Sequence, residues 1–257
     1  MANPVIYYSN PTSWTISTSL GVDPSNPTTN LLDFIRNTKW MSGYAVSGQT
    51  IKITLPAAQE CDYMIFDNHN MEGWTIRIDA ADDTGFTTGV EVAASIAMPA
   101  SPSVIAFGGA PITKRYWRVK LGDDGVAPAA PYIGNMFLGK RMIFTFPHDF
   151  GGKVADSSFI STVGRSLSGI KRVSQAVGGT RLIEVTFSLI SDAAATAFRT
   201  FHDTVRGQLR PFYYSPDGGT TLYYVSLAKD YNPITQYRPG QNNTQTIVME
   251  TADSEVV

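Results

Sequence analysis

His69, His148 and His202 are the only imidazoles in the 257-residue sequence. None stands at the HExxH spacing that puts two metal ligands on one helix face. No GxSxG, P-loop or GxGxxG segment is present, so neither a strained nucleophile turn nor a phosphate cradle is encoded locally. Asp79, Asp82 and Asp83 lie close in sequence, and such carboxylates could serve calcium or a glycosidase. They lack the alternating ligand series of an EF-hand. Glycosidase carboxylates must converge from separate strands to about 5–10 Å, which spacing alone does not show. Asp82-Asp83-Thr84-Gly85 reads instead as a solvated turn. Cys61 is the single cysteine, which excludes an internal disulfide and a thiolate zinc cluster. With no Lys or His beside it, it reads as a buried, inert thiol.

The aromatic residues offer binding chemistry. The segment His69-Asn70-Met71-Glu72-Gly73-Trp74 is a loop leading into a strand, and rings on such loops can stack on sugars. His69 and Trp74 are therefore candidate glycan contacts, although Trp74 shares its parity with Ile76 and Ile78 and equally suits a core anchor. Tyr213-Tyr214 and Tyr223-Tyr224 flank the turn Ser215-Pro216-Asp217-Gly218-Gly219. In a hairpin one Tyr of each pair faces outward, which makes these four tyrosines candidate subunit contacts. A cross-strand aromatic pair that serves only the sheet is the other reading. Lys114-Arg115 with Arg118 and Lys120, Lys140-Arg141, and Lys171-Arg172 interleave with strand residues. They read as solvated strand faces; a contact with an acidic ring partner is the alternative, with Lys171 and Arg172 as its candidates.

The elements that must position these residues are strands. From Gln49 to Leu55, Ile51, Ile53 and Leu55 alternate with Thr50, Lys52 and Thr54, the period-two pattern of a half-buried strand, and Pro56 is expected to end it. Similar runs occur at 63–66, 74–78 and 116–121, separated by Gly- and Asp-rich turns. Several short strands at turn-like spacing predict an antiparallel sandwich. Strands are also expected at 169–177 and 181–189, joined as a hairpin by Gly178-Gly179. From Asp192 to Arg206 the period changes: Ala194, Ala197, Phe198, Phe201 and Val205 form one helical stripe, with Gly207 placed as a C-terminal cap. The hairpin around 215–219 and a strand at 245–250 complete the chain.

Composition agrees. Hydrophobic residues make up 43% and charged residues only 16%, against an average near 25%, which argues against disorder and suits strands with Thr- and Ser-rich faces. Up to Phe146 there are 10 basic and 12 acidic residues, and 10 of each follow; neither half is a polycation, so a nonspecific nucleic-acid binder is not expected. The opening residues lack the basic start and apolar run of a signal peptide, and no apolar stretch approaches the ~20 residues of a membrane span. The expectation is a protein that folds where it is synthesised and inserts in no membrane.

Leu31-Leu32-Asp33, Thr38-Lys39-Trp40-Met41-Ser42, the strand 51–55, Asp82-Asp83-Thr84-Gly85-Phe86 and Tyr116-Trp117-Arg118-Val119 follow one another in an order that resembles a galactose-binding-like (discoidin-type) jelly-roll. That resemblance covers roughly residues 28–146 and implies a β-sandwich whose loops often host carbohydrate. The second half is similar to the tail-tube-like domain of distal tail and other minor tail proteins of long-tailed bacteriophages. The likeness rests on Ser168–Arg172, Arg181–Phe187, the single helix to Gly207, Pro211–Tyr214 and Thr246–Glu250. It implies a β-sandwich with one flanking helix that assembles into a ring continuing the tail tube, although many distal tail proteins place the ring-forming domain first.

The expected fold is thus mainly β: a jelly-roll at 1–146, then a tail-tube-like domain with one α-helix at 147–257. The expected role is a structural virion protein at the tail tip, made in the bacterial cytoplasm. Its partners would be itself in a ring (a hexamer), the tail tube and other baseplate or tail-tip proteins, with DNA only as passing cargo. Open sheet edges in a small domain favour such closure, because identical subunits can pair them. The alternative is a carbohydrate-binding protein whose jelly-roll recognises a host-surface glycan. A glycosidase ranks last; no catalytic residue, cofactor or metal is assigned.

Overall fold

A computed structural model describes residues 3–9, 13–19, 21–44, 48–122, 129–144, 153–165, 171–190, 192–207, 209–228 and 243–251. The protein is mainly β, with antiparallel sheets and one described α-helix. It divides into two units, one of Tyr7–Arg141 and one of Met1–Ile6 together with Met142–Val257. This differs from two consecutive domains meeting after Phe146. In β1 (Val5–Tyr7), Val5 and Ile6 pair with Ile143 and Met142, so the first residues join the later unit and the jelly-roll is an insertion within it.

The inserted unit holds two sheets. One has the order β2 (Thr15–Thr18), β4 (Gln49–Cys61), β9 (Ile112–Leu121), β6 (Thr75–Ala81), β7 (Glu91–Ala97). The other has the order β3 (Trp40–Met41), β10 (Tyr132–Gly139), β5 (Tyr63–His69), β8 (Ser103–Ala106). Ile51, Ile53 and Leu55 meet Ile76, Ile78, Trp117, Val119 and Leu121 from the first sheet and Met64, Phe66, Met136 and Leu138 from the second in one core. Each such burial stabilises the fold by roughly 1.5–3 kcal/mol before chain entropy is counted. The alternation predicted for 49–55 therefore points as expected, with Lys52 and its neighbours on the outer face.

Pro56 does not end its strand. β4 continues to Cys61, and its register against β9 shifts between Thr54 and Gln59. The exposed residues 56–58 bulge there, so the missing proline N–H breaks no ladder bond to β9. A short 3-10 turn at Thr28–Leu31 leads into a loop that covers the second sheet. Asp33 accepts from the Ile35 amide (2.8 Å) and the Thr38 hydroxyl (2.7 Å), which shapes the loop. Arg36 then reaches the fully buried Asp67 at 2.6 Å, and Phe34 packs on Phe137.

In the other unit, seven strands form one sheet. Its order is β11 (Met142–Ile143), β1, β14 (Phe212–Ser215), β15 (Tyr223–Leu227), β16 (Asn243–Thr251), β13 (Lys171–Ile190), β12 (Lys153–Arg165). The expected Gly178-Gly179 hairpin is absent: both glycines lie inside the continuous 20-residue β13. The register against β12 slips between Phe159 and Ser161, opposite Gly179 and Gln175, so the glycines sit at a bulge and not at a turn. The helix α1 (Asp192–Val205) matches its predicted span, and Gly207 takes φ +61° beyond its C-terminal end. Phe198, Phe201 and Val205 are buried; Phe198 packs on Phe144 and Phe201 meets Phe212 edge-on.

Candidate functional site

The two residues assigned to glycan by sequence lie inside the jelly-roll unit. Trp74 is only 5% exposed and belongs to the core with Ile76 and Ile78, so the period-two parity that made it a core anchor prevails. His69 ends β5 and is also buried. One ring nitrogen lies 2.8 Å from the Ser103 hydroxyl, and the other accepts the Met71 amide at 3.1 Å. Burial lowers its pKa to about 4 against the opposing pull of Asp67, so at neutral pH it is an uncharged strut. Neither side chain presents a face to a sugar.

An open cleft of about 490 Å³ lies instead where the segments 21–24 and 41–44 run side by side. An isolated bridge joins Val22 to Ser42, the Gly43 amide donates to Gly21 O, and the Asp23 amide donates to Met41 O. A Cβ on Gly21 would stand 3.0 Å from the Tyr44 ring, so the absence of a side chain there lets the ring lie close over the backbone. Tyr44 is 59% exposed at the rim of this cleft. Asp23 also lines it, and its carboxylate accepts from the Ser25 amide and the Asn26 side-chain amide. The Ser25 bond, followed by the Asn26 bond, holds its carboxyl below the usual range, so it is an ionised acceptor at neutral pH. Sequence reading missed this pair. The legible signal was Ser42-Gly43-Tyr44, an aromatic residue beside glycine with no strand-parity partner.

The outer face of the five-stranded sheet carries a second arrangement. Asp79 on β6 is fully buried, with Arg77 at 2.7 Å, Arg118 at 2.6 Å and Lys120 at 3.9 Å. Burial opposes its charge, but hydrogen bonds from Arg118 and Arg77 outweigh that and hold its carboxyl below the usual range. Arg118 also lies over the Phe86 ring, 4.3 Å from its centroid. Beside them a smaller cleft of about 280 Å³ is lined by Ser17, Lys52, Thr54, Thr84, Phe86 and Tyr116. The acidic turn behaves as sequence reading expected: Asp83 accepts from the amides of Gly85, Thr87 and Thr88. Lys114 pairs with Asp82 and Glu91.

The proposed subunit contacts fare differently. Tyr213 pairs with Tyr224, their rings 5.0 Å apart, and Tyr214 pairs with Tyr223. Tyr213 and Tyr214 are each 1% exposed and Tyr224 is buried, so both faces of β14 are covered and the outward-facing expectation is corrected; Tyr223 alone is half-buried. The cross-strand pairing reading accounts for them. Lys171 and Arg172 open β13 opposite Arg165 and Gly164, and their side chains lie outside the described residues, as does His148. Among the described residues no group of three or more His, Cys, Asp or Glu side chains could hold a metal ion, and no helix is long and apolar enough to cross a membrane.

No protein-family model and no curated protein matches the chain. Among solved structures it is similar to chitosan-binding module 1 of a chitosanase/glucanase from Paenibacillus sp. IK-5, at 18% identity over 51% of this chain and 98% of that one, with a TM-score of 0.44. It is similar to a family 32 carbohydrate-binding module of a family 31 glycoside hydrolase from Clostridium perfringens, at 18% identity over 52% and 99%, with a TM-score of 0.44. A third, the family 32 module of Clostridium perfringens NanJ solved with galactose, shares 14% identity over 54% and 99%, with a TM-score of 0.43.

Proposed function

We propose that the jelly-roll unit is a carbohydrate-binding module and that the cleft beside Tyr44 takes a sugar ring. The observation that carries this is the Tyr44 ring, 59% exposed at the rim of a cleft that also holds the ionised Asp23. A pyranose has an apolar C–H face and an edge of hydroxyls. An aromatic ring supplies a flat, rigid contact for the first, and a carboxylate accepts strong hydrogen bonds from the second. No catalytic role is proposed. A glycan array probed with the full chain tests the reading: saccharide-selective binding that Tyr44→Ala abolishes supports it, and the absence of any saccharide preference overturns it.

The ring-subunit reading draws on a different observation. β12, 13 residues long, ends the seven-stranded sheet, and a long edge strand invites pairing with another chain. A solution mass of three or six times 28.0 kDa by light scattering at two concentrations would favour a closed ring. A monomer at both concentrations would remove that support. The two readings concern different units and do not exclude each other.

A further inference from the structure

We infer that the jelly-roll unit has a second subsite, on the outer face of its five-stranded sheet, that takes the carboxylate of an acidic sugar residue. This rests on the glycan-binding reading of the same unit. The register of the sheet builds the face. Lys52 on β4 lies opposite Arg118 on β9, which lies opposite Asp79 on β6. One step along, Thr50, Lys120 and Arg77 form the next row. Period-two alternation puts all these side chains outside the core, so four cations share these two rows with Asp79 alone, while Lys114 further along β9 is matched by Asp82 and Glu91.

Asp79 is already committed to Arg77, Arg118 and Lys120. Among the described residues Lys52 has no carboxylate within ion-pair distance: there its ammonium donates to the Thr84 carbonyl, at 3.4 Å, and lies 5.7 Å from the Phe86 ring centroid. Asp83, next to Thr84, is bent back onto the amides of its own turn. Among the described residues the half-buried Lys52 therefore lines the cleft as a cation without a counter-ion, in a field of net positive charge. The rest of the lining suits one sugar ring. The hydroxyls of Ser17, Thr54 and Thr84 meet polar edges, while the half-buried Tyr116 offers apolar surface. Phe86 holds φ +56°, a conformation rare for a bulky residue, and in it the ring lies beneath Arg118 and Lys52. A neutral sugar would leave the ammonium uncompensated; a uronate supplies the missing charge.

Calorimetric titration of the full chain with galacturonate and mannuronate trisaccharides, with neutral galactotriose in parallel, tests this. The expected result is uronate binding that weakens steeply between low and high salt. Lys52→Ala should reduce it about tenfold or more, as loss of a charge-assisted hydrogen bond requires. Lys52→Arg should retain most of it, and Lys140→Ala, at an exposed lysine that lines neither cleft, should leave it unchanged. Failure to bind either uronate, or uronate binding indifferent to Lys52→Ala, overturns the subsite. The glycan array and its Tyr44→Ala arm report on the first cleft independently, so loss of one reading is distinguishable from loss of the other. A melting temperature for each variant separates lost binding from lost fold.

Discussion

Arg118 and Asp79 face each other across β9 and β6, with a guanidinium nitrogen 2.6 Å from a carboxylate that has no exposed surface. Arg77 and Lys120 converge on the same group, so one buried anion holds three cations on neighbouring strands. Asp79→Asn keeps the shape and removes the charge that offsets their repulsion. Its cost is expected at about 3 kcal/mol, the lower end for breaking a buried pair because the cations are partly solvated. The carboxyl pKa is depressed in the folded state, so this stability is present above the unfolded carboxyl pKa and is lost as pH falls through the folded value. Urea titrations of both proteins between pH 7 and pH 3 check it: the difference between them should shrink as the solution is acidified.

His69 acts in the same direction over a different range. Burial depresses its pKa from 6.5 to about 4, so the unfolded chain takes up a proton that the folded chain refuses. Stability is full above pH 6.5 and falls as pH drops from there towards 4, by about 3 kcal/mol. His69→Gln should remove this component of the slope and leave the carboxylate component below it. Unchanged slopes between pH 6.5 and 4.5 would contradict the account.

Cys61 is 1% exposed, and burial, assisted by the charge of Asp62, pushes its thiol up to about 12. A thiol that scarcely ionises is a poor nucleophile. The native protein should therefore ignore an aromatic disulfide reagent at pH 8, and one thiol per chain should react after denaturation. Rapid reaction of the native chain would place Cys61 at the surface.

Tyr214 buries a hydroxyl that finds no hydrogen-bond partner among the described residues. Burial, then Tyr223 and Asp217, raises its pKa, so it stays protonated. Tyr214→Phe removes the desolvation cost without disturbing the ring, and its stability should match or exceed the parent's by about 1 kcal/mol. A loss of more than that would reveal a bond to the hydroxyl.

The strand at 49–55 was legible because one face is core: Ile51, Ile53 and Leu55 alternate cleanly with Thr50, Lys52 and Thr54, which face solvent. The helix was legible for the same reason, through Phe198, Phe201 and Val205. Pro56 and Gly178-Gly179 misled because both residue types mark bulges as well as ends, and only a partner strand distinguishes the two. His69 and Trp74 drew attention by residue type, yet burial depends on long-range partners, Ser103 on β8 for His69 and the shared core for Trp74, that local sequence does not contain. Tyr44 and Asp23 lie 21 positions apart in segments joined by one isolated bridge, and no periodicity links such residues. The return of Val5 and Ile6 to a strand beyond residue 140 is likewise a long-range pairing without a local signature.

Replacement of Tyr44 by Ala, measured as affinity for the saccharide selected on a glycan array, tests the central claim most directly. Tyr44 is exposed and makes no core contact, so the variant should melt with the parent while binding falls about tenfold or more, as expected when a stacking ring is lost. Equal affinity in parent and variant, with both folded, would contradict the assignment of the sugar to this cleft.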